Sequence, residues 1–515
     1  MSTGPLATID YTESELVLGF VYAVGSNVEP VQSTLKKHLK KFGYTANTVK
    51  LSQYLPKLVN ELHLGVALKG EPEHKRIDSY MDAGDRCRDK LGRGDALALC
   101  AVADIHERRK ASTREETKEP YPKTAHVLMS LRHPDEVIAL RRIYGAGFFL
   151  IGVFATQKER LDYLTEEQDI LKKEAERLIE RDQGEEEAFG QQTRDTFGLA
   201  DVYVRLKGDE YRDQLWRFLD LAFGSPFETP SLDENGMFLA YAASSRSSSL
   251  SRQVGAAVTT KEGDFLSVGC NDVPAAGGGL YWPGPLAQRD HEYAFKEAVG
   301  ADSNEYVTDE IISDIVKKLA PPCGDAMKLD EAKKLLERSL LMNITEYGRA
   351  VHAEMEALLS CARVGVSPRN STLYATTFPC HNCARHIIDA GINRVVYIEP
   401  YPKSRAKELH SDSIVLKGEE EQQDHTGTKR GFRVALEPFI GVGPRRYFDL
   451  FSMRLSSGYP VKRKTRDGRA VSWSRDQANI RIPLLPTSYI QRETLAGKEL
   501  ATAKQEAMEA KDATT

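Results

Sequence analysis

Two short motifs carry the residue types that zinc-assisted hydrolysis requires: His352-Ala353-Glu354 and, farther along, Pro379-Cys380-His381-Asn382-Cys383. Two thiolates at C-x-x-C spacing grip one metal from the start of a helix. A nitrogen from His352 makes three protein ligands, which leaves the fourth tetrahedral position open. An open position is the mark of a catalytic zinc, and water placed there is acidified towards neutrality. Glu354 lies two residues beyond His352, so the two side chains leave one helical turn in different directions. The carboxylate can reach the water without ligating the metal, which suits it to move protons. The expected cofactor is therefore Zn2+. A C-x-x-C pair alone also builds structural zinc knuckles and redox pairs, and a lone His-x-Glu is commonly a surface coincidence.

The flanking elements must hold these groups in register. Ser371-Thr-Leu-Tyr-Ala-Thr-Thr377 reads as a strand leading into the cysteines. Ala384 to Gly391 reads as a helix ending on glycine, and Arg394 to Ile398 as the next strand. Farther upstream, Gln253 to Thr260 and Asp264 to Gly269 read as a hairpin, and Gly236 to Ser248 as a helix. A long insertion from Pro274 to about Leu341 opens on Gly277-Gly278-Gly279 and contains Trp282, Arg289 and His291. It is expected to be an active-site cover or an oligomer contact.

The front of the chain has a different pattern. Leu16 to Val24 is a buried-strand run, Gly25-Ser26-Asn27 a turn, and Val31 to Phe42 a helix. Further strands at Ala125 to Met129 and Phe148 to Phe154 alternate with helical stretches such as Pro134 to Tyr144, which is the rhythm of a parallel sheet. Lys158 to Arg181 reads as a charged helix, a solvated face or lid and not a nucleic-acid site, since acids and bases are mixed along it. The proline- and glycine-rich stretch 223–236 marks a boundary. The expected domains are 1–225, then 232–485 carrying the 274–341 insertion, then a flexible tail 486–515 rich in Ala, Lys, Glu and Thr.

At 515 residues the chain is too long for one ordinary core. With 41% hydrophobic and 28% charged residues it has a globular composition, and no apolar run approaches the roughly 18 residues of a membrane span. The start lacks a basic region followed by an apolar segment, so a cytoplasmic location is expected. Seven cysteines, scattered apart from the 380/383 pair, do not form a disulfide framework, and Cys87, Cys100, Cys270, Cys323 and Cys361 read as buried apolar residues. A net charge of -5 argues against a surface that coats nucleic acid. An acidic loop lies at Glu419-Glu420-Glu421.

The set Ser251-Arg-Gln-Val-Gly-Ala256, Gly269-Cys-Asn271, His352-Ala-Glu354, Thr377-Phe-Pro-Cys-His-Asn-Cys383 and Ala390 to Tyr397 resembles the deoxycytidylate deaminase branch of the cytidine deaminase superfamily. With Ile344 to Glu354, Glu399-Pro-Tyr-Pro-Lys-Ser404 and a degenerate P-loop domain in front, nearly the whole chain resembles the two-domain bacterial deaminases of phage defence that deplete dCTP and dCMP. That resemblance implies an α/β protein, with a P-loop kinase-like parallel-sheet domain followed by a cytidine deaminase-like three-layer α-β-α domain. It also implies a homo-oligomer that converts free deoxycytidine nucleotides to dUTP or dUMP and ammonia, restrained in some members by an inhibitory RNA.

Carried over residue by residue, His352, Cys380 and Cys383 take the zinc positions and Glu354 the proton-shuttle position. Asn271 takes a position that contacts the substrate sugar, though asparagine there also suits a plain turn. Arg252, Lys403, Arg445 and Arg446 are candidate phosphate ligands, though a surface salt bridge is the commoner fate of any single such residue. The front domain departs from its own pattern: after Gly25 and Ser26 come Asn27, Val28 and Glu29, without the phosphate-binding lysine of G-x-x-x-x-G-K-[ST]. Phosphoryl transfer is not expected there. A structural turn and a regulatory nucleotide or partner site both remain open, with Asp95 and Asp104 as candidate metal-binding remnants. Two rival readings stand beside the leading one: a deaminase of a base in RNA or DNA, and a nucleotide-sensing module carried by the front domain.

Overall fold

In the computed structural model, residues 13–109, 119–184, 192–282, 302–319, 328–336, 339–344, 346–401, 403–417 and 432–512 are described. Arg289, His291, Cys323 and the acidic stretch 419–421 lie outside them. Twelve strands occur among the described residues: β1 (Leu16–Tyr22), β2 (Thr45–Lys50), β3 (Thr124–Met129), β4 (Phe148–Phe154), β5 (Val202–Arg205), β6 (Gly255–Thr259), β7 (Phe265–Cys270), β8 (Thr372–Thr377), β9 (Arg394–Glu399), β10 (Ile414–Leu416), β11 (Val434–Pro438) and β12 (Gly441–Val442). They form two six-stranded sheets. The chain divides into two units, one made of Met1–Glu234 with Ile440–Thr515 and the other of Asn235–Phe439.

The first sheet runs β12-β5-β4-β1-β3-β2, with every neighbour from β5 to β2 parallel. β1 and β4 are apolar along almost their whole length and buried at all but their last position, because parallel strands in the middle of a sheet have both faces covered. Leu18, Phe20, Phe149 and Ile151 join Leu35 of the helix Glu29–Lys41 and Phe218 of the helix Glu210–Ala222 in one core. The turn between β1 and the helix Glu29–Lys41 needs glycine at position 25. Its φ is +83°, and an added Cβ would sit 2.8 Å from the Arg160 carbonyl oxygen.

Two boundaries differ from those the sequence suggested. Residues after Phe439 return to the first unit: β12 pairs antiparallel with β5, and a two-residue strand has no periodicity to betray it. The expected flexible tail is a helix, Pro486–Asp512, in which Tyr489, Glu493, Ala496, Leu500 and Ala507 are buried. Their spacing is that of a helical seam, disguised by the Lys/Glu-rich composition between them. The charged segment read as one helix is broken into Gln157–Asp162, a π-turn Tyr163–Glu167 and Lys172–Gly184. Asp95 is held by Arg93, and Asp104 by Tyr54 and Arg108, so neither stands as a vacant metal ligand.

The second sheet runs β10-β11-β9-β8-β6-β7, parallel from β10 to β8 and antiparallel across β8-β6-β7. The 274–341 insertion contains the helices Ser303–Leu319 and Leu329–Leu336, so it is an elaboration with its own structure. Trp282 is 69% exposed and lies against the Arg246 guanidinium, 3.8 Å from ring centre to Cζ. No helix among the described residues is long and apolar enough to cross a membrane.

Candidate active site

Two helix starts define the site. β8 runs through Phe378 and Pro379 into the helix His381–Asp389, whose N-cap is Cys380; its sulfur accepts from the Cys383 N–H at 3.4 Å. His352 is the N-cap of the helix Ala353–Val364, with Glu354 in the first turn. Helix N-termini carry partial positive charge and lower the cost of a thiolate nearby.

Three backbone devices fix these starts. Val351, just before His352, exchanges two backbone hydrogen bonds with Asp272 at 2.9 and 3.3 Å. The Asp272 carboxylate in turn accepts from the Ser248 hydroxyl and the Val273 N–H. Ser404 donates to the Pro379 carbonyl at 2.7 Å, anchoring the residue before Cys380. Gly269 lets β7 lie directly on the helix Ala353–Val364, since a Cβ there would come within 2.4 Å of both Ala353 O and Ala357 N.

The ligand atoms of His352, Cys380 and Cys383 all lie within 4.8 Å of one another. His352 Nδ1 is 3.3 Å from each sulfur. A tetrahedral zinc with sulfurs at about 2.3 Å and nitrogen at about 2.0 Å separates N from S by roughly 3.5 Å, so the donor set fits this metal in both type and span. The three donor groups are also coupled through shared protons. The Cys380 thiol is pulled down to about 4 by its hydrogen bond with Cys383, against the effect of burial and with further help from His352. His352 is raised to about 9, chiefly by its hydrogen bond to Cys380. Cys383 moves well above its ordinary value through the bond shared with Cys380 and through burial. Protons and metal compete for the same three atoms, so metal uptake releases protons.

Glu354 is 4% exposed, and burial first, then the Cys380 charge, pushes its carboxyl above the usual range. Glu356, the next acid on this helix, is engaged by Arg363 at 2.5 Å. The two acids are thereby sorted: Glu356 is neutralised by a guanidinium, while Glu354 faces the sulfur and imidazole groups.

Of the residues picked out from sequence, the structure brings together His352, Glu354, Cys380 and Cys383. Asn271 follows β7, and its amide holds the neighbouring segment: Oδ1 accepts from Val254 N–H at 2.7 Å and Nδ2 donates to the Arg252 carbonyl at 2.9 Å. Arg252 directs its guanidinium to Glu399 at 3.4 Å and over the Tyr401 ring. Lys403 is exposed beside Ser404. Arg446 is not a phosphate ligand. It is buried in the first unit, bound to Asp201, Asp449 and the carbonyl of Ala146. Arg445 belongs to that same unit, as do Gly25 and Ser26. Asp272 and Ser404 are the positioning residues that sequence reasoning missed. Asp272 follows Asn271 and Ser404 ends the Glu399-Pro-Tyr-Pro-Lys-Ser404 motif, but their bonds depend on contacts across the fold.

The fold and this donor set define a zinc-dependent hydrolytic site on an α/β sheet. Residues 230–399 match the family model described as "cytidine and deoxycytidylate deaminase zinc-binding region". The chain is 29% identical over 167 residues to the deoxycytidylate deaminase of Enterobacteria phage T4, covering 32% of this chain and 77% of that one. It is 40% identical over 65 residues to ComE operon protein 2 of Bacillus subtilis (strain 168), 13% and 34% of the two chains. A crystal structure of the cyanophage S-TIM5 dCMP deaminase with dCMP and dUMP aligns over 41% of this chain and 99% of its own, at 17% identity and a TM-score of 0.24 that adds no weight. The chain thus carries a deaminase domain of the cytidine and deoxycytidylate type, uses zinc, and is an enzyme of that class.

Proposed function

We propose that this enzyme deaminates free deoxycytidine nucleotides, converting dCTP and/or dCMP to dUTP and/or dUMP plus ammonia, with His352, Cys380 and Cys383 holding the zinc. The observation that carries the reading is the buried Glu354 carboxyl set beside that donor cluster where two helices begin. Zinc so held supplies Lewis-acid activation of water at neutral pH. Glu354 takes a proton from the attacking water and delivers it to N3 of cytosine. It then carries the second proton to the amine on C4, so that water is added and ammonia leaves. The raised affinity of Glu354 for protons suits both directions of transfer.

The choice of a free deoxycytidine nucleotide is supported by the motif resemblance, by relatives named deoxycytidylate deaminase, and by a net charge of -5, which disfavours a nucleic-acid track. Consumption of dCTP during phage infection is the biological role this reading implies, with a homo-oligomer as the working form. The front unit, with Gly25 and Ser26 in its turn, acts as regulator in this reading; restraint by an inhibitory RNA rests on the resemblance alone, which implies it for some members. Purified zinc-loaded protein, treated with nuclease, is to be incubated with cytidine, dCMP, CTP, dCTP and a cytosine-containing oligonucleotide. Uracil product from dCMP or dCTP is the expected result; product from the oligonucleotide alone would overturn the assignment.

The motif resemblance is what supports giving Asn271 the substrate's sugar, and Arg252 and Lys403 its phosphate. Because the Asn271 amide also pins the segment 252–254, Asn271→Ala should raise KM for the nucleotide by about tenfold or more with zinc content unchanged. Steady-state kinetics with metal analysis checks this.

A further inference from the structure

The first unit contains a cavity of about 440 Å³ built where β1 gives way to the helix Glu29–Lys41. That volume exceeds a lone phosphate several-fold and lies in the range of small organic ligands, about 300 to 1,000 Å³. Its lining has two chemically distinct parts, and both carry unfinished business.

The polar part is the turn Gly25–Glu29. Val28 occupies the N-cap position of the 13-residue helix, and no side chain caps the helix start. The N–H groups of Glu29 and Val31 therefore lack a helical acceptor, and Pro30 has none to offer. Ser26 supplies a second, independent sign. It lines the cavity at 8% exposure, and among the described residues its hydroxyl has no hydrogen-bond partner. A buried hydroxyl left unmatched costs stability, and its natural complement beside an uncapped helix start is an anion.

The lining carries both signs of charge. Lys50, Arg76, Arg88 and Arg132 stand against Glu29 and Glu73. Arg88 and Arg132 are committed to Asp85 and Asp182. Arg76 is held by Glu73 within its own helix, Glu73–Leu91, at 2.5 Å with the guanidinium side chain 43% exposed. It can turn from Glu73 to a stronger anion at small cost, since partly exposed pairs of this kind are worth little.

The second part is apolar and aromatic, with Leu55, Ile77, Met81 and Leu164 beside Tyr80 and Tyr163. Flat rings and aliphatic groups at one end and an anion site at the other describe a phosphorylated ligand with a planar, partly apolar body. A triphosphate is disfavoured by the absence of a loop lysine and by the Glu29 carboxylate in the first turn.

We propose that this cavity binds a nucleoside monophosphate without transforming it. The phosphate is held by Ser26, the first-turn N–H groups and Arg76, and the base packs among the Tyr80 and Tyr163 side chains. The cavity belongs to the first unit and the zinc donors to the second, and monophosphate binding does not depend on the substrate assigned there.

Hydrogen–deuterium exchange of the full zinc-loaded chain, with and without millimolar dAMP, dGMP, dTMP, dCMP or inorganic phosphate, localises binding. At least one monophosphate should slow exchange in peptides spanning 22–32 and 73–91, whatever happens around 352–383. Ser26→Ala and Arg76→Gln should each weaken that protection by about tenfold or more, the worth of a hydrogen bond to a charged group, while leaving zinc content unchanged. The proposal is overturned if no monophosphate protects these peptides, if protection is the same in both variants, or if inorganic phosphate protects them as fully as any nucleotide.

Discussion

Glu354→Gln should lower kcat by about a thousandfold or more while the protein retains its zinc. Positioned general acid–base groups contribute roughly 10²- to 10⁴-fold, and Glu354 is assigned two transfers in each turnover. Glutamine keeps the shape and polarity of the side chain but cannot take a proton from water, so the rate should fall without loss of packing. The zinc should stay because the three donor atoms belong to His352, Cys380 and Cys383, and the helix start that presents His352 is fixed by the Asp272–Val351 bonds and by Gly269. Two neighbours make informative controls. Glu356→Gln breaks the pair with Arg363 and should change thermal stability more than kcat. His352→Ala should lose metal and activity together. Retention of more than a tenth of wild-type kcat by Glu354→Gln would sink the proton-shuttle role; loss of zinc from the same variant would show that the carboxylate has a metal-holding part.

The zinc donors and Glu354 were legible because their chemistry is written at short range. A C-x-x-C pair at the N-cap of one helix and a His-x-Glu across the N-cap of another are local geometries, fixed by a turn of backbone whatever surrounds them. The parallel sheet of the first unit was legible for a similar reason, since β1 and β4 are apolar on both faces. What escaped was whatever depends on closure over long separations. Arg446 reads as a surface cation, yet it is buried against Asp201 and the Ala146 carbonyl. Asn271 reads as a sugar contact or a plain turn residue, and neither reading contains the two backbone groups its amide holds. Gly441–Val442 is too short to signal a strand, and only its pairing with β5 reveals it. The helix Pro486–Asp512 hid behind its composition, with an acid at the centre of its buried face.

That acid sets the second large prediction: Glu493→Ala should destabilise the first unit by about 3 to 5 kcal/mol, the cost of breaking a buried ion pair. Glu493 is fully buried and receives two bonds from Arg109 at 3.0 Å, one from the Tyr144 hydroxyl at 2.9 Å, and a contact from His106 at 3.2 Å. Arg109 turns its other nitrogen to Glu15 at 2.8 Å, and Glu15 is also met by His126 and Tyr489. Removing Glu493 leaves Tyr144 without its acceptor in the interior and leaves Arg109 with one carboxylate where it had two. The surviving half is strongly acidic: burial pushes the Glu15 carboxyl up, but hydrogen bonds from His126 and Arg109 outweigh it and hold it at about 2. A depressed carboxyl stabilises the fold above its ordinary value of 4.5 and ceases to as pH falls towards 2, so the wild-type protein should lose stability across that acid window. Thermal or urea denaturation of wild type, Glu493→Ala, Arg109→Met and the double variant gives the coupling directly. A single-variant loss below about 1 kcal/mol, or full stability after truncation at Leu485, would return this helix to the status of a dispensable tail. With the expected loss, the C-terminal helix is part of the front unit's core, and the deaminase domain is an insertion in a fold that closes only after it.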